Sequence, residues 1–296
     1  MKIRIALAQW QIGSPADFSA FAERVSAAVA EAVRAGAAIV VLPEYLALEL
    51  ASTLPAAVRP DVAATLVALQ PLHAGWLALF GDLARRHRIH LLAGTFLVAD
   101  ANGRFRNRAY FFSPAGEHGF QDKLALTGFE KGIGVIDPGD ELRVFDTPFG
   151  RVAINICYDV EFPMYARAQW LAGARLLLVP SCTDTDAGAT RVRVGCMARA
   201  LENRIYVAQS VTAGEAPENP TLDTNTGSAV VYAPSDRGLP ADGVLASAAT
   251  GAAWLIADVD LRLLEATRAD AQVAVPVDWE DQFRPATARA KVVALS

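Results

Sequence analysis

The chain has 296 residues, of which 53% are hydrophobic and 20% are charged, and its formal net charge is −5. This composition excludes a disordered chain and allows one large domain, or two small ones, with a substantial buried core. Acidic and basic residues are mixed along the sequence, so no basic stripe predicts binding to nucleic acid. The three cysteines are widely spaced and odd in number. This pattern argues against a disulfide framework and a cysteine zinc site, and it is typical of a protein in the reducing cytoplasm.

The N-terminal residues predict a cytoplasmic protein that does not enter a membrane. They pass directly into the strand-like run 3–8 and lack the apolar region and cleavage site of a signal peptide. No uninterrupted apolar stretch is long enough to cross a bilayer. The sequence also lacks a repeat of fixed period and a low-complexity linker, so a single domain is the simplest division.

The first three predicted elements alternate between strand and helix. After the strand at 3–8, residues 14–35 carry hydrophobic side chains near helical spacing, with Ser14 as a start signal and Gly36 as a stop signal. The wholly apolar run 39–42 is typical of a strand that is covered on both faces. This order predicts a parallel sheet covered by helices.

A helical region and two hairpins are predicted next. Residues 60–87 are helical with an interruption near Pro71. The pair Asn102-Gly103 predicts a tight turn between two strands, and the glycines between residues 128 and 139 indicate loops. The strands of the two hairpins are predicted at 89–98, 104–113, 142–145 and 151–156.

Beyond residue 156 the sequence predicts two helices and five strands, followed by a peripheral arm. The arm, 261–296, is mixed and polar, with Trp279 and Phe283 as isolated aromatic residues. We expect it to contact a partner subunit while belonging to the same domain as residues 1–260. The helices are predicted at 163–172 and 189–203, and the strands at 176–179, 205–211, 226–232, 243–249 and 253–259.

Cys157 is the first candidate catalytic residue, because it directly follows the apolar run 152–156. A buried strand fixes the position of the residue at its end, and the turn beyond it leaves backbone N–H groups free. The thiolate is the reactive form of cysteine, so a nucleophile near neutral pH needs a partner that takes its proton. No histidine follows a short buried strand, so no Cys–His pair is indicated for any of the four, His73, His87, His90 and His118.

Glu44 is a better candidate for the base, because it follows the apolar run 39–42 at what would be the carboxyl end of that strand. We expect two neighbouring strands to place Glu44 and Cys157 at one rim of the sheet, where ligands bind in α/β folds. The stem of Lys123 is expected to run along apolar surface, so that its ammonium stabilises an oxyanion and favours the thiolate. The backbone N–H of Tyr158 is a candidate second oxyanion donor. Glu130, in a loop of glycines, is expected to orient either the lysine or the substrate.

Each of these residues alone has a plain structural interpretation. A lone cysteine at a strand end is commonly a small buried hydrophobic residue. A glutamate after Leu-Pro is commonly solvated, and a single lysine commonly lies on the surface. It is the joint placement of Glu44, Lys123 and Cys157 that favours catalysis.

These residues lie in sequence blocks that resemble the nitrilase superfamily of carbon–nitrogen hydrolases, and the resemblance covers nearly the whole chain. It implies an α/β fold, a four-layer αββα sandwich, that assembles into homodimers or higher homo-oligomers. It also implies a triad of Glu44 as general base, Lys123 as oxyanion stabiliser and Cys157 as nucleophile, and Glu130 matches a second functional glutamate. No metal and no cofactor are implied. The similar blocks are residues 5–9, 42–44, 123–124, 127–130, 156–163 and 198–203.

The sequence Cys157-Tyr158-Asp159 resembles the amidase branches of the superfamily, whereas nitrilases more often carry Cys-Trp-Glu. We therefore expect hydrolysis of a small linear amide to a carboxylic acid and ammonia through a thioester acyl-enzyme, with the amide and water as the small-molecule partners. A nitrilase or an N-carbamoyl amide hydrolase that uses the same residues is the enzymatic alternative. An inactive ligand-binding or scaffold protein on this fold is the alternative from another class.

Glu161 raises the question of the substrate's charge, because omega-amidase-like members often carry arginine at this position. A glutamate there would suit a cationic or neutral polar substrate, or it is a turn residue paired with Arg167 or Arg191. Asp184, in the loop 181–188, and Arg191 are further candidate substrate-binding residues. The remaining cysteines, Cys182 and Cys196, are predicted to be structural.

Overall fold

The computed structural model describes residues 2–295 of the chain. Its helices are α1 (Phe18–Arg34), α2 (Val62–Leu69), α3 (His73–His87), α4 (Gly128–Ile133), α5 (Pro163–Leu171), α6 (Asp186–Asn203), α7 (Leu261–Ala266) and α8 (Val275–Asp278). Its strands are β1 (Lys2–Gln11), β2 (Ile39–Leu42), β3 (His90–Ala99), β4 (Phe105–Phe112), β5 (His118–Asp122), β6 (Val144–Thr147), β7 (Gly150–Ile154), β8 (Leu176–Ser181), β9 (Tyr206–Glu215), β10 (Thr224–Asn225), β11 (Val230–Tyr232), β12 (Val244–Ser247) and β13 (Trp254–Asp260).

The strands form two sheets that are joined at one point. In the first sheet the order is β13-β1-β2-β3-β4-β5, and β1, β2 and β3 run parallel. In the second sheet the order is β6-β7-β8-β9-β11-β12, and β7, β8 and β9 run parallel. The end of β1 also pairs with β9, where Gln9 lies opposite Val211, and β10 pairs with the end of β9. Parallel neighbours need crossover connections, and these carry the helices on the sheet faces.

The two sheets stack face to face, and helices cover their outer faces. Alternate residues of β1 enter different cores, since Ile5 packs together with residues of the second sheet whereas Ala6 packs under α1 and α3. A strand with both faces buried needs no polar positions, which explains the wholly apolar β2. On the opposite side, α5 and α6 pack against the second sheet through Ala166 and Cys196. The predicted four-layer αββα sandwich is thereby confirmed.

Three predicted details of the elements are wrong for local reasons. Asp17 rather than Ser14 caps α1, because its carboxylate accepts a backbone N–H three residues further on at 2.8 Å. Thr185 caps α6 in the same way, so this helix begins three residues earlier than predicted. The segment around Gln121, predicted as a polar connection, is a strand because it pairs with β4.

The segment 62–87 is long and apolar enough to cross a membrane by length and composition alone, although Gln70, Pro71 and His73 interrupt its apolar residues. A 3₁₀ turn at Pro71 divides the segment into α2 and α3. One face of α3 packs in the core over the first sheet through Trp76, Phe80 and Leu83. We interpret α2 and α3 on this ground as helices of the outer layer.

Two buried arginines tie the C-terminal segment to the rest of the domain. Arg204 donates to the hydroxyl of Thr267 at 2.9 Å. The guanidinium of Arg167 lies 4.8 Å from the ring centre of Trp279, so this aromatic residue has a partner within the domain, whereas Phe283 is exposed. The single domain with an arm that begins at residue 261, and a subunit contact through the arm 261–296, stay predictions.

Candidate active site

Residues that follow four different strands meet at one end of the sandwich. Glu44 follows β2, Lys123 follows β5, Cys157 follows β7 and Cys182 follows β8. The prediction that neighbouring strands carry Glu44 and Cys157 is wrong, because β2 lies in the first sheet and β7 in the second. The two side chains meet because the stacked sheets bring the carboxyl ends of their parallel strands to the same end of the fold.

Lys123 lies between two glutamates in the interior. Its Nζ is 2.8 Å from Oε1 of Glu44 and 2.8 Å from Oε2 of Glu130, and each of the three side chains is at most 1% exposed. The expected course of the lysine along an apolar surface is therefore wrong. Burial lowers the pKa of Lys123, but the two carboxylates outweigh this effect and raise the pKa overall. The lysine consequently carries a fixed positive charge at neutral pH.

Glu130 is held by donors on both of its oxygens. It lies in the short helix α4, where it forms a capping box with Thr127, and not in the predicted glycine loop. Oε1 accepts hydrogen bonds from the hydroxyl of Tyr45 at 2.7 Å and from Nδ2 of Asn107 at 3.1 Å. Burial raises the pKa of this carboxyl, but the Lys123 ammonium and the donors lower it overall. Its contact with Lys123 favours the predicted role of orienting the lysine.

Glu44 also has both of its oxygens occupied, and one of its donors comes from the second sheet. Oε1 accepts from Lys123 and, at 2.9 Å, from Nδ2 of Asn107. Oε2 accepts from the backbone N–H of Cys182 at 3.1 Å. Burial raises the pKa of Glu44, and the negative charge of Glu130 adds to this effect against the pull of the lysine. A carboxylate with a raised pKa is a better proton acceptor than an ordinary surface glutamate.

Cys157 begins a 3₁₀ turn, Cys157–Glu161, with a φ of 48°, which is strained for a residue with a side chain. Its thiol donates to the backbone carbonyl of Cys182 at 3.4 Å and lies within hydrogen-bond reach of the Glu44 carboxylate. Burial raises its pKa well above the ordinary value, and the Glu44 charge raises it further. Lys123 lowers this pKa and so favours the thiolate as expected, but burial and the Glu44 charge outweigh its effect in the free protein. The thiol needs a base, and Glu44 is in place to act as one.

The structure adds site residues that the sequence analysis missed. Tyr45 and Asn107 hold the two glutamates, and the backbone of Cys182 contacts both the base and the thiol, so this cysteine is more than a packing residue. Asp159 binds backbone N–H groups beside the site. A signal existed for Asn107, which occupies a buried position in the alternating strand β4.

A cavity of about 320 Å³ opens above the thiol and includes Glu44, Lys123 and Cys157 in its wall. The predicted Tyr158, Glu161, Asp184 and Arg191 all line it, together with Phe129 and Asp223. Nε of Arg191 lies 3.6 Å from Oε1 of Glu161, so Arg191 and not Arg167 is the neighbour of this glutamate. None of the four histidines, all of which lie in the described range, lines the cavity. Within residues 2–295 no group of three or more His, Cys, Asp or Glu side chains is placed to hold a metal ion.

Comparison with known sequences gives one family and several hydrolase relatives. The family model for carbon–nitrogen hydrolases matches residues 4–269. The probable hydrolase YhcX of Bacillus subtilis is 34% identical over 272 residues, which are 92% of this chain and 52% of that protein. The chain thus spans about half the length of this relative. The mouse omega-amidase NIT2 is 29% identical over 274 residues, covering 90% of this chain and 91% of the mouse protein.

Comparison with solved structures gives the same type of fold. Saccharomyces cerevisiae Nit3, a member of branch 10 of the nitrilase superfamily, superimposes with a TM-score of 0.74 at 23% identity, covering 92% of this chain and 95% of Nit3. A mutant of the amidase from Nesterenkonia sp. AN1 superimposes with a TM-score of 0.68 at 25% identity, covering 90% and 97%. In that amidase structure acrylamide has undergone Michael addition at the active-site cysteine.

Proposed function

Because the chain belongs to the carbon–nitrogen hydrolase family, we propose that it hydrolyses a small linear amide to a carboxylic acid and ammonia, with Cys157 as the nucleophile. Glu44 is the general base in this proposal, Lys123 and the backbone N–H of Tyr158 stabilise the oxyanion, and Glu130 orients the lysine. The omega-amidase and amidase relatives support an amide as the substrate.

The observation that carries the proposal is the buried chain of contacts from Glu130 through Lys123 to Glu44 and the thiol. The lysine bridges the two carboxylates at 2.8 Å each. Cys182 links Glu44 to the thiol, because its backbone N–H donates to Glu44 and its carbonyl accepts from Cys157. Burying three charged groups costs desolvation free energy that their mutual attraction repays only in part. Stability alone therefore does not account for this cluster. A base, a cation and a thiol at the floor of one cavity are the groups that acyl transfer requires.

In the first half of the reaction, Glu44 accepts the thiol proton while the sulfur of Cys157 attacks the amide carbonyl carbon. The carbonyl oxygen becomes an oxyanion beside the Lys123 ammonium and the N–H of Tyr158, which is the second residue of its 3₁₀ turn. The C–N bond then breaks, and Glu44 returns the proton to the leaving nitrogen. The products of this half-reaction are ammonia and a thioester on Cys157.

In the second half of the reaction, water replaces ammonia and Glu44 accepts a proton from it. The resulting hydroxyl attacks the thioester carbonyl, and the same donors stabilise the second oxyanion. When the C–S bond breaks, the sulfur takes the proton from Glu44, so the thiol, the carboxylate and a free carboxylic acid result. The raised pKa values of Glu44 and Cys157 suit this exchange of one proton between them.

The charge of the cavity wall supports a neutral or cationic substrate over an anionic one. Besides the catalytic groups, the charged residues of the wall are three acids and one base, namely Glu161, Asp184, Asp223 and Arg191. The base lies beside Glu161 and is partly compensated by it. An anionic group on the substrate would therefore meet net negative charge near the mouth of the cavity.

Two other assignments are separated from this proposal by products. A nitrilase would consume a nitrile, and an N-carbamoyl amide hydrolase would release carbon dioxide as well as ammonia. An inactive binding protein would bind small amides without turnover. A cytoplasmic location and a homo-oligomeric state are further parts of the proposal that the sequence analysis predicts.

The test is ammonia release from a panel of linear amides, nitriles and N-carbamoyl compounds, with Cys157→Ala as the control. We expect an amide to be the best substrate and its turnover to be lost in Cys157→Ala. Turnover restricted to nitriles or carbamoyl compounds would favour the enzymatic alternative. Amide turnover that persists in Cys157→Ala would overturn the assignment of the nucleophile.

A further inference from the structure

Asp159 is a buried acid beside the site that has no part in the mechanism above. Its side chain is 1% exposed. Oδ1 accepts the backbone N–H groups of Leu124 at 3.0 Å and Ala125 at 2.7 Å, and Oδ2 accepts that of Ile156 at 3.1 Å. The first two residues directly follow Lys123, and the third directly precedes the nucleophile. A single carboxylate therefore joins the backbone segments that carry the lysine and the thiol.

The strands that precede these two segments are not hydrogen-bonded to each other. Lys123 follows β5, at the edge of the first sheet, and Cys157 follows β7, in the second sheet, and β5 and β7 do not pair. Strand pairing therefore cannot fix the distance between the lysine and the thiol. The positive φ of Cys157 also has to be held by its surroundings, because a non-glycine residue relaxes from it when it is free to do so.

We propose that Asp159 is a positioning residue, which holds the Lys123 ammonium and the Cys157 thiol in register for attack on the substrate. The inference rests on the proposed function. A carboxylate suits this task, because it has only acceptor sites and all three of its backbone partners are donors. The groups that face it include Lys123 and Tyr165. Burial raises the pKa of Asp159 to about 7 against the effect of the N–H groups and Lys123, so the carboxylate form that accepts all three N–H groups predominates above that pH.

The test compares Asp159→Asn and Asp159→Ala with the wild type in kcat, KM and the rate of the first acylation. A displacement of about 1 Å between reacting groups costs about 100-fold in rate, so we expect Asp159→Ala to lower kcat by about that factor while KM changes little. We expect Asp159→Asn to be intermediate. Its oxygen still accepts from Leu124 and Ala125, but its NH₂ group meets the N–H of Ile156.

A matched control is available in Asp236, whose side chain is 4% exposed, pairs with Arg204 and accepts the backbone N–H groups of Arg237 and Gln272 away from the cavity. Asp236→Asn is expected to lower stability without changing kcat of the folded protein. A second readout does not depend on the substrate, namely the rate at which iodoacetamide alkylates Cys157. We expect this rate to fall about tenfold in Asp159→Asn, because the thiolate loses its alignment with Lys123.

The outcomes separate this inference from the proposed function. If the wild type shows no Cys157-dependent amide turnover, the proposed function fails, and the alkylation rates still decide whether Asp159 positions the thiol. If the wild type is active and Asp159→Asn matches it in kcat and in alkylation, only the inference is overturned. A purely structural role would lower the melting temperature and leave kcat, KM and alkylation of the folded fraction unchanged, as in Asp236→Asn.

Discussion

Replacing Glu130 by glutamine tests the charge network with almost no change of shape. Every partner of this carboxylate in the described structure is a donor, since Oε1 accepts from Tyr45 and Asn107 while Oε2 accepts from Lys123 and Thr127. Whichever way the new amide turns, its NH₂ group faces former donors from two residues. Facing Tyr45 and Asn107 is the less costly choice, because the Tyr45 hydroxyl can accept and the buried Oδ1 of Asn107 has no hydrogen-bond partner within residues 2–295.

In that less costly arrangement Glu130→Gln still loses one negative partner of the buried lysine. A hydrogen bond to a charged group contributes about 1.5–3 kcal/mol, and breaking a buried ion pair costs about 3–5 kcal/mol. Glu44 remains beside Lys123 at 2.8 Å. We therefore expect the free energy of unfolding to fall by about 3 kcal/mol, the lower bound for breaking a buried ion pair. We also expect kcat to fall by about 100-fold, because the lysine is then drawn toward Glu44 alone.

The assay is urea unfolding together with amide turnover, and Glu141→Gln serves as the control. Glu141 lies on the surface and pairs with Arg143 at 2.8 Å, with its side chain 68% exposed. Surface pairs of this kind contribute about 0–1 kcal/mol, so the control should change stability little and turnover not at all. If Glu130→Gln matches the control in both measurements, the reasoning about the buried network is refuted.

Three further predictions concern pH, substrate charge and the histidines. Because the pKa values of Glu44 and Asp159 are raised, the latter to about 7, both take up a proton as the pH falls, and kcat/KM should decline below about pH 7. The kcat/KM for an amide with a terminal ammonium should be at least about tenfold higher than that for the carboxylate analogue of equal length. Glu161→Gln should lower this ratio of the two kcat/KM values. Single alanine substitutions of the histidines should keep most of the activity, namely at His73, His87, His90 and His118.

Each of these predictions has a result that contradicts it. A kcat/KM that stays constant down to about pH 5 would show that burial does not raise the pKa of either carboxyl as described. A preference for the anionic analogue would mean that Arg191, and not Glu161, directs substrate binding. Loss of activity in a single histidine variant that remains folded would revive a Cys–His mechanism.

Much of the fold was predictable because it depends on local patterns. The apolar run of β2 and the run before Cys157 mark buried strands, and the polar residue after each of them marks the end where the site lies. The register between strands, the stacking of the sheets and the burial of Lys123 depend on contacts between residues far apart in sequence. Nothing in the local sequence distinguishes this lysine from a solvated one.

The same limit explains the site residues that were missed. Asn107 contacts Glu44 and Glu130 from β4, next to the edge strand of the first sheet, and no spacing in the sequence relates the three. Asp159 follows the nucleophile by two residues, yet its role depends on where the chain after Lys123 passes. The sequence indicates that Lys123 favours the thiolate, but it does not quantify burial, which outweighs the lysine and raises the pKa of Cys157.

The central claim is that Cys157 carries the acyl group, and intact-mass analysis of acid-quenched turnover tests it most directly. Acid stops the reaction and preserves a thioester, so a substrate whose acyl-enzyme accumulates should add the mass of the amide less ammonia to the protein. We predict one such adduct, located on Cys157 by peptide mapping and absent in Cys157→Ala. Amide turnover without an adduct on this residue, or with an adduct on another residue, would contradict the account.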